Sequence, residues 1–382
     1  MTWEYIGDLI LSILYTQTGA PNLVFKEVIM IFVALGFLYL AVGKNFEPLL
    51  LLPIGFGIFI VNFPLTPLMG YGENGAPELI RAFYHYGVEW EIIPCVIFLG
   101  LGAMTDFGPL IANPKTLIIG AGAQLGVFVT YIGTLFLGFS LQEAASVGII
   151  GGADGPTTIY LTSKLAPHLL GANALAAYSY MAMVPLIQPP IMKLLTNRKQ
   201  RLIRMRQLRP VSAREKLLFP LIATALISLL VPAVAPLMGM FMFGNFMRES
   251  GVVKRLSETA QNALMNVVTI FLGLSVGATM QAETFLTWKP LLIFGFGLMD
   301  FVVCTAGGIV TVHLMNLFLK DKINPLIGSA GVSAVPMSAR VSHNMGIQED
   351  PNNWLLMHAM GPNLAGVIGT AAAAGMFIAM FQ

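Results

Sequence analysis

Gly148-Ile149-Ile150-Gly151-Gly152-Ala153-Asp154-Gly155-Pro156-Thr157-Thr158 sets one carboxylate beside helix-breaking residues, inside a stretch apolar enough to lie in a membrane. A charge at the bilayer centre costs several kcal/mol, and unwound backbone at that depth persists only where it is buried in protein or lines a wet cavity. Asp154 is therefore the first candidate for a functional group. The surrounding chain fits that setting. It is 56% hydrophobic and 10% charged over 382 residues, against about 25% charged in soluble domains, so it reads as an all-α polytopic membrane protein. Apolar blocks near 27-43, 49-63, 92-106, 115-139, 143-163, 169-192, 217-243, 263-281, 290-319, 325-340 and 354-381 suggest about eleven transmembrane helices at about 20 residues each.

Residues 1-18 carry Trp3, Tyr5, Glu4 and Asp8 without a basic leader or a small-residue cleavage site. They are expected to form an interfacial helix rather than a signal peptide. Nine of the 21 Lys and Arg fall between Lys193 and Lys216, against the single acid Glu215. By the positive-inside rule this loop is cytoplasmic. Cys95 and Cys304 stand alone in apolar segments and read as core thiols, and the five histidines show no metal-ligand spacing. No phosphate-binding Gly-rich loop with a following Lys occurs, so the chain is not expected to drive itself with ATP, and no sequence around a lysine resembles a biotin acceptor.

Two halves share landmarks in one order. Leu51-Leu52-Pro53 answers Leu218-Phe219-Pro220, and Pro67-Leu68-Met69-Gly70 answers Pro236-Leu237-Met238-Gly239. Ile97-Phe98-Leu99-Gly100-Leu101 recurs as Ile270-Phe271-Leu272-Gly273-Leu274. Gly148, Gly151 and Pro156 match Gly328, Gly331 and Pro336, and Ala182-Met183-Val184-Pro185 matches Ala359-Met360-Gly361-Pro362. The expected organisation is 1-47 as an N-terminal segment with one helix, 48-192 as repeat 1, 193-216 as a basic cytoplasmic loop and 217-382 as repeat 2. Five spans per repeat force the second to enter the membrane from the other side. The repeats are then inverted, with the N-terminus cytoplasmic, the C-terminus outside and the broken segments 148-158 and 328-340 meeting at the midplane.

The second broken segment, Asn324-Pro325-Leu326-Ile327-Gly328-Ser329-Ala330-Gly331-Val332-Ser333-Ala334-Val335-Pro336-Met337-Ser338-Ala339-Arg340, carries mostly oxygen-bearing polar groups. Gly361-Pro362-Asn363 lies in the last block, and Tyr180 just precedes the matching motif of the first half. Such oxygens, with a carboxylate and freed carbonyls, suit an alkali cation. Ser329 and Ser338 read equally well as packing residues. Arg340 reads as an interfacial Arg or as a bidentate partner for an anionic substrate. Asn363 could instead satisfy a broken helix end, and Asp106 is expected at a loop or helix end, outside the site.

Gly151-Gly152-Ala153-Asp154-Gly155-Pro156-Thr157, the run from Asn324 to Met337, and His358-Ala359-Met360-Gly361-Pro362-Asn363 together resemble the β subunit of the biotin-dependent, sodium-pumping decarboxylases that act with oxaloacetate, methylmalonyl-CoA or glutaconyl-CoA carboxyltransferase partners. The resemblance runs from about residue 27 to the end of the chain. It implies an elevator-transporter-like subunit of the bacterial inner membrane, assembled as a homo-oligomer, that takes carboxybiotin from a biotin carrier protein, decarboxylates it with consumption of a proton and exports Na+. The biotin is supplied in trans and is not attached to this chain. The implied partners are a soluble carboxyltransferase, the carrier and a small single-span γ/δ-type subunit, with no nucleic acid. It ties Asp154, Tyr180, Asn324, Gly328, Ser333, Arg340 and Asn363 to Na+ binding, proton delivery or carboxybiotin. The expected division gives Na+ to Asp154, Asn363 and Ser333, carboxybiotin to Arg340, Asn324 and Gly328, and chemistry to Asp154, Tyr180, Ser333 and Arg340. On the residues alone, a secondary sodium/carboxylate symporter or sodium/proton antiporter fits the same plan.

Overall fold

The computed structural model describes residues 18-382, which are helical throughout apart from loops and one isolated bridge between Tyr71 and Pro77. The interfacial helix expected over residues 1-18, and the N-terminus itself, lie outside the described residues but for Thr18. The helices that matter for the site are α1 Phe25–Lys44, α2 Pro48–Val61, α3 Ile92–Met104, α4 Thr116–Phe136, α5 Leu141–Gly148, α6 Gly155–Leu165 and α7 Leu170–Leu195. After the basic loop come α8 Ala213–Leu230, α9 Ala235–Ser250, α10 Met265–Ala278, α11 Trp288–Phe318, α12 Met337–Glu349 and α13 Leu356–Phe381. Among the described residues, six helices are by themselves long and apolar enough to cross a membrane, which makes the chain a polytopic membrane protein.

Ion pairs and caps distinguish the two ends of the bundle. At the end that carries residues 193-216, here the loop end, Lys216 meets Asp106 at 2.8 Å, just beyond α3, and Arg248 donates to the Met104 carbonyl from α9. At the far end Glu91 pairs with Lys164 at 2.5 Å, and Asn62 joins the end of α2 to the segment after α10 through Met280 and Ala282.

These contacts change two expectations about the spans. Glu143, in the first turn of α5, bonds His168, which follows α6, and Asn173 reaches Ser146 of α5 and Thr162 of α6. Residues 141-165 therefore enter and leave by the far end, so the block expected to cross at 143-163 is a hairpin. In the same way Asn324 donates to the carbonyls of Arg201 and Ile203, while Glu349 and Asp350 pair with Arg201 and Arg204. Residues 325-349 form a second hairpin, from the loop end. The physical reason is one: Gly and Pro stop both helices before they can traverse, and the chain turns back. The block at 217-243 also differs, because Pro232 and Pro236 break it into α8 and α9 through a single 3-10 turn.

The direction of α1 changes with them. Gly19 lies against Pro64, beyond the far end of α2, so α1 starts at the far end and not at the loop end. Counting the first hairpin as a crossing reverses every helix before it.

Two bodies result. In one, α2 lies along α10 and α3 along α9, flanked by α1 and α8; in the other, α4, α7, α11 and α13 enclose the two hairpins. Close approach within the first body depends on missing side chains. A methyl group at Gly244 would overlap the carbonyl oxygen of Leu99 across the α3–α9 crossing. Overpacking there should cost about 1–3 kcal/mol. Gly244→Leu is accordingly expected to lower the thermal midpoint of the detergent-solubilised protein, whereas Gly239→Leu, where a side chain would meet open space, should leave it within error.

Candidate functional site

The hairpin tips meet inside the second body. Ile149–Gly152 is a 3-10 turn, Ala153 then takes a left-handed φ of 53°, and Asp154 begins α6. A helix that ends on Gly-Gly and restarts at an Asp N-cap with Pro in the first turn is what these residues dictate locally. The opposing tip presents Ser333, whose backbone N–H donates to the Gly152 carbonyl at 2.7 Å. Each unwound strand thus satisfies part of the other where water is scarce.

Asp154 is 5% exposed and accepts from the Thr157 N–H at 2.9 Å, while Thr158 Oγ1 donates to the Asp154 carbonyl. It lines a cavity of about 50 Å³ with Ser333 and Val335 from the other tip, Thr105 from α3 and Phe241 from α9. The cavity lies on the seam between the bodies. Among the described residues no Lys, Arg or His lines it, so a carboxylate there lacks a protein counter-charge. Its polar lining is one acid with the hydroxyl-bearing Ser333 and Thr105, set among the apolar Leu101, Met181, Val335 and Phe241.

Ser333 Oγ lies 2.7 Å from Thr370 Oγ1, which in turn reaches Gln124 Oε1 at 3.0 Å, so a hydroxyl-amide chain runs from the tip into α4. Asn363, one turn before Val367 of the cavity wall, donates to the Val332 carbonyl at 2.6 Å, while its Oδ1 is buried without a partner among the described residues. It satisfies the broken hairpin, as one of its two readings expects, and keeps one oxygen unused.

The other expected residues lie elsewhere. Tyr180 points away from Asp154 and donates to the Phe294 carbonyl on α11; Tyr178, two residues earlier and so about 200° around the helix, is the one packed against Gly155. Asn324 caps the start of the second hairpin through Leu326 N–H and pins the basic loop. Gly328 lets that hairpin lie against Gly308 of α11. Arg340 is exposed on α12, one turn past the tip. Ser329 bonds Ser342 and Ser338 lies beside Gln188, as packing residues do. Asp106 ends α3 and holds Lys216.

Sequence reading missed Asp300. It is the one acid of α11, fully buried, and its Oδ2 accepts from the Gly151 N–H at 2.9 Å while Cys304 Sγ lies near Oδ1. A lone acid in a long apolar helix is a recognisable signal; only its partner was invisible, because Gly151 lies 149 residues away.

The family model for the Na+-transporting oxaloacetate decarboxylase beta subunit matches residues 26–381. The chain is 59% identical to the methylmalonyl-CoA decarboxylase subunit beta of Veillonella parvula over 93% of both chains. It is 57% identical to the glutaconyl-CoA decarboxylase subunit beta of Acidaminococcus fermentans, over 95% of this chain and 96% of that one. Identity is 52% to the oxaloacetate decarboxylase beta chain of Klebsiella pneumoniae, over 96% and 98%.

Removing the acceptor of the Gly151 N–H should loosen the first tip by about 1–3 kcal/mol. Deuterium uptake in a peptide covering residues 148-155 is expected to rise in Asp300→Ala. In Asp300→Asn, whose amide oxygen can still accept, it should stay near wild type.

Proposed function

Because the chain belongs to the family of β subunits of Na+-transporting oxaloacetate decarboxylase, we propose that the cavity between its hairpin tips holds the Na+ that it exports while it decarboxylates carboxybiotin on a carrier protein. The observation that carries the reading is the meeting of Asp154 and Ser333 in one buried cavity at the seam of two helical bodies. Asp154 supplies the charge, Ser333 a hydroxyl and Asn363 its unpartnered Oδ1. These are hard oxygen donors, suited to Na+ and poorly suited to a transition metal. A secondary transporter could use the same plan, but relatives named as decarboxylase subunits favour the decarboxylase.

The same contacts support a reading as inverted repeats. Since α1 and α2 pack as α8 and α9 do, and α2 along α10 as α9 along α3, the packing supports a first repeat that begins at α1 rather than at residue 48. Each repeat then has five helices running end to end and one hairpin, an odd number of crossings. With the basic loop cytoplasmic, the first hairpin enters from outside, the second from the cytosol, and the C-terminus lies outside the bacterial inner membrane. An elevator-like cycle would slide the hairpin-bearing body along the body of α2, α3, α9 and α10, carrying the cavity from one side to the other. Oligomers of this subunit would provide the fixed frame.

We assign to Arg340, exposed on α12 one turn past the second tip, a charge-assisted pair with the carboxylate of carboxybiotin at the decarboxylation step, after the ring has been received at the loop end. Decarboxylation leaves a nitrogen anion on biotin that takes up a proton. The hydroxyl-amide chain of Ser333, Thr370 and Gln124 is the route we assign to it; the Tyr180 hydroxyl, which donates to the Phe294 carbonyl, is not part of that chain. Which acid is consumed is set by the carboxyltransferase partner, in keeping with relatives that serve three different substrates. A biotin carrier and a small membrane subunit complete the complex. Exporting one charge against 100 mV requires about 2.3 kcal/mol, and each tenfold gradient about 1.4 kcal/mol, within the reach of a decarboxylation.

Asp154→Asn is expected to abolish Na+-dependent CO2 release by the assembled complex and to leave carboxyl transfer to biotin by the soluble partner intact. Full CO2 release in that variant would refute the assignment. Asn363→Ala should raise the half-saturating Na+ concentration by roughly 10–100-fold, the scale on which partners of a metal site act, as read from initial rates across a Na+ titration.

A further inference from the structure

Two cavities open side by side at the loop end, of about 640 and 520 Å³, and share Met205, Leu208 and His358 on their common wall. His358 is 8% exposed, and its Nδ1 is buried with no hydrogen-bond partner among the described residues. An imidazole with an unpaired buried nitrogen, on the wall that two cavities share, is a costly arrangement unless a ligand bonds the ring. The helix it begins is α13. Asn363 lies five residues further on, about 7.5 Å of rise, so the cavities sit on the loop-end side of the proposed Na+ site.

Their linings differ. The larger is walled by Pro109, Val211, Trp354 and Met357, with the last two exposed, and its lining carries two cations, Lys216 and Arg209, against the single acid Asp106, which pairs with Lys216. An apolar slot with one directional polar group and a nearby positive charge fits a small ring that bears an anion. The smaller is basic: Lys115, Arg204, Arg206, Lys320 and Lys322 line it against the single acid Asp321. Arg204 is held by Asp350, whose carboxyl it keeps below the usual range, and Arg206 by Asp321. Lys115 and Lys320 enter no ion pair among those the described residues make.

We propose that the paired cavities around His358 form the receiving site for the biotinyl arm, the carboxylated ring entering the apolar cavity against His358 while acidic residues of the carrier domain rest on Lys115 and Lys320. The inference rests on the decarboxylase reading above and assigns residues which that reading leaves unused. His358 offers its imidazole to the ureido or carboxylate group as donor or acceptor, according to its tautomer. Lys216 and Arg209 together outweigh Asp106 in the lining and so favour the anion, and Trp354 with Met357 covers the ring. The basic cavity steers and orients the carrier, because charges at the rim of an interface act chiefly on encounter.

The test uses the complete complex in detergent and measures Na+-dependent CO2 release from added carboxybiotinylated carrier protein and from free carboxybiotin. The pair Lys115→Glu with Lys320→Glu is expected to raise KM for the carrier roughly tenfold with kcat retained, through lost steering. His358→Ala should raise KM roughly tenfold or more for both substrates, by loss of a hydrogen bond to a charged group, and His358→Gln should restore part of it. Lys254→Glu, a charge reversal elsewhere at this end, should change neither. The half-saturating Na+ concentration is expected to stay at the wild-type value in all of them. Unchanged KM for the carrier in both the double lysine variant and His358→Ala would overturn the inference. So would loss, in the lysine variant, of binding to vesicles of phosphatidylglycerol alone, with carrier KM unaffected, since the basic cavity would then be a lipid site. If the wild-type complex released no CO2 from either substrate, the decarboxylase reading itself would fail and this inference with it.

Discussion

One hydrogen bond organises the centre of this protein: the Ser333 N–H to the Gly152 carbonyl, at 2.7 Å. Unwound backbone in the middle of an apolar bundle has no water to satisfy it, and an unpaired group there costs several kcal/mol. Two broken segments that face each other solve the problem jointly. Neither tip is stable in that setting without the other, so the hairpins must approach from opposite ends and stop at the same depth. The cavity with Asp154 lies where that mutual satisfaction leaves a gap.

The helices around the tips serve the same constraint. Asp300 of α11 takes the Gly151 N–H, Asn363 of α13 takes the Val332 carbonyl, and Thr370 joins Ser333 to Gln124. These side chains come from helices far apart in sequence, and each spends its polar atom on a tip. Asp154 keeps its carboxylate without a counter-charge in the cavity lining, and Asn363 keeps an Oδ1 with no partner among the described residues. On the proposed reading these oxygens and the Ser333 hydroxyl are the ones that would share a monovalent cation.

Charge placement separates the two ends. The run from Lys193 to Lys216 is laced to the second hairpin by Asn324, Glu349 and Asp350, so the loop-end face and one wall of the site form a continuous structure. The first hairpin is fastened at the other end by Glu143 with His168 and Lys289. Each hairpin is thus anchored by ion pairs at its own end of the bundle and by buried hydrogen bonds at its tip.

Much of this architecture is legible in the order of the residues alone. The apolar blocks and the charge run mark a polytopic membrane protein; Asp154 beside Gly and Pro marks the site; the oxygen-rich segment to Met337 and the string around Asn363 mark its other wall. Periodicity and composition suffice for these because they are local. Whether a block crosses or turns back is not legible, since a hairpin and a broken span share the same apolar letters, and the difference lies in the Glu143–His168 and Asn324–Arg201 contacts. Nor can the choice between Tyr178 and Tyr180 be read, because it depends on which face of α7 meets Gly155. The sequence by itself determined the membrane class and the broken segments, and it singled out Asp154. Only the tertiary structure decided the hairpins, the direction of α1, the partner of Asp300 and the placement of His358 between two cavities. Those depend on packing between residues from tens to more than a hundred positions apart, which composition and periodicity do not encode.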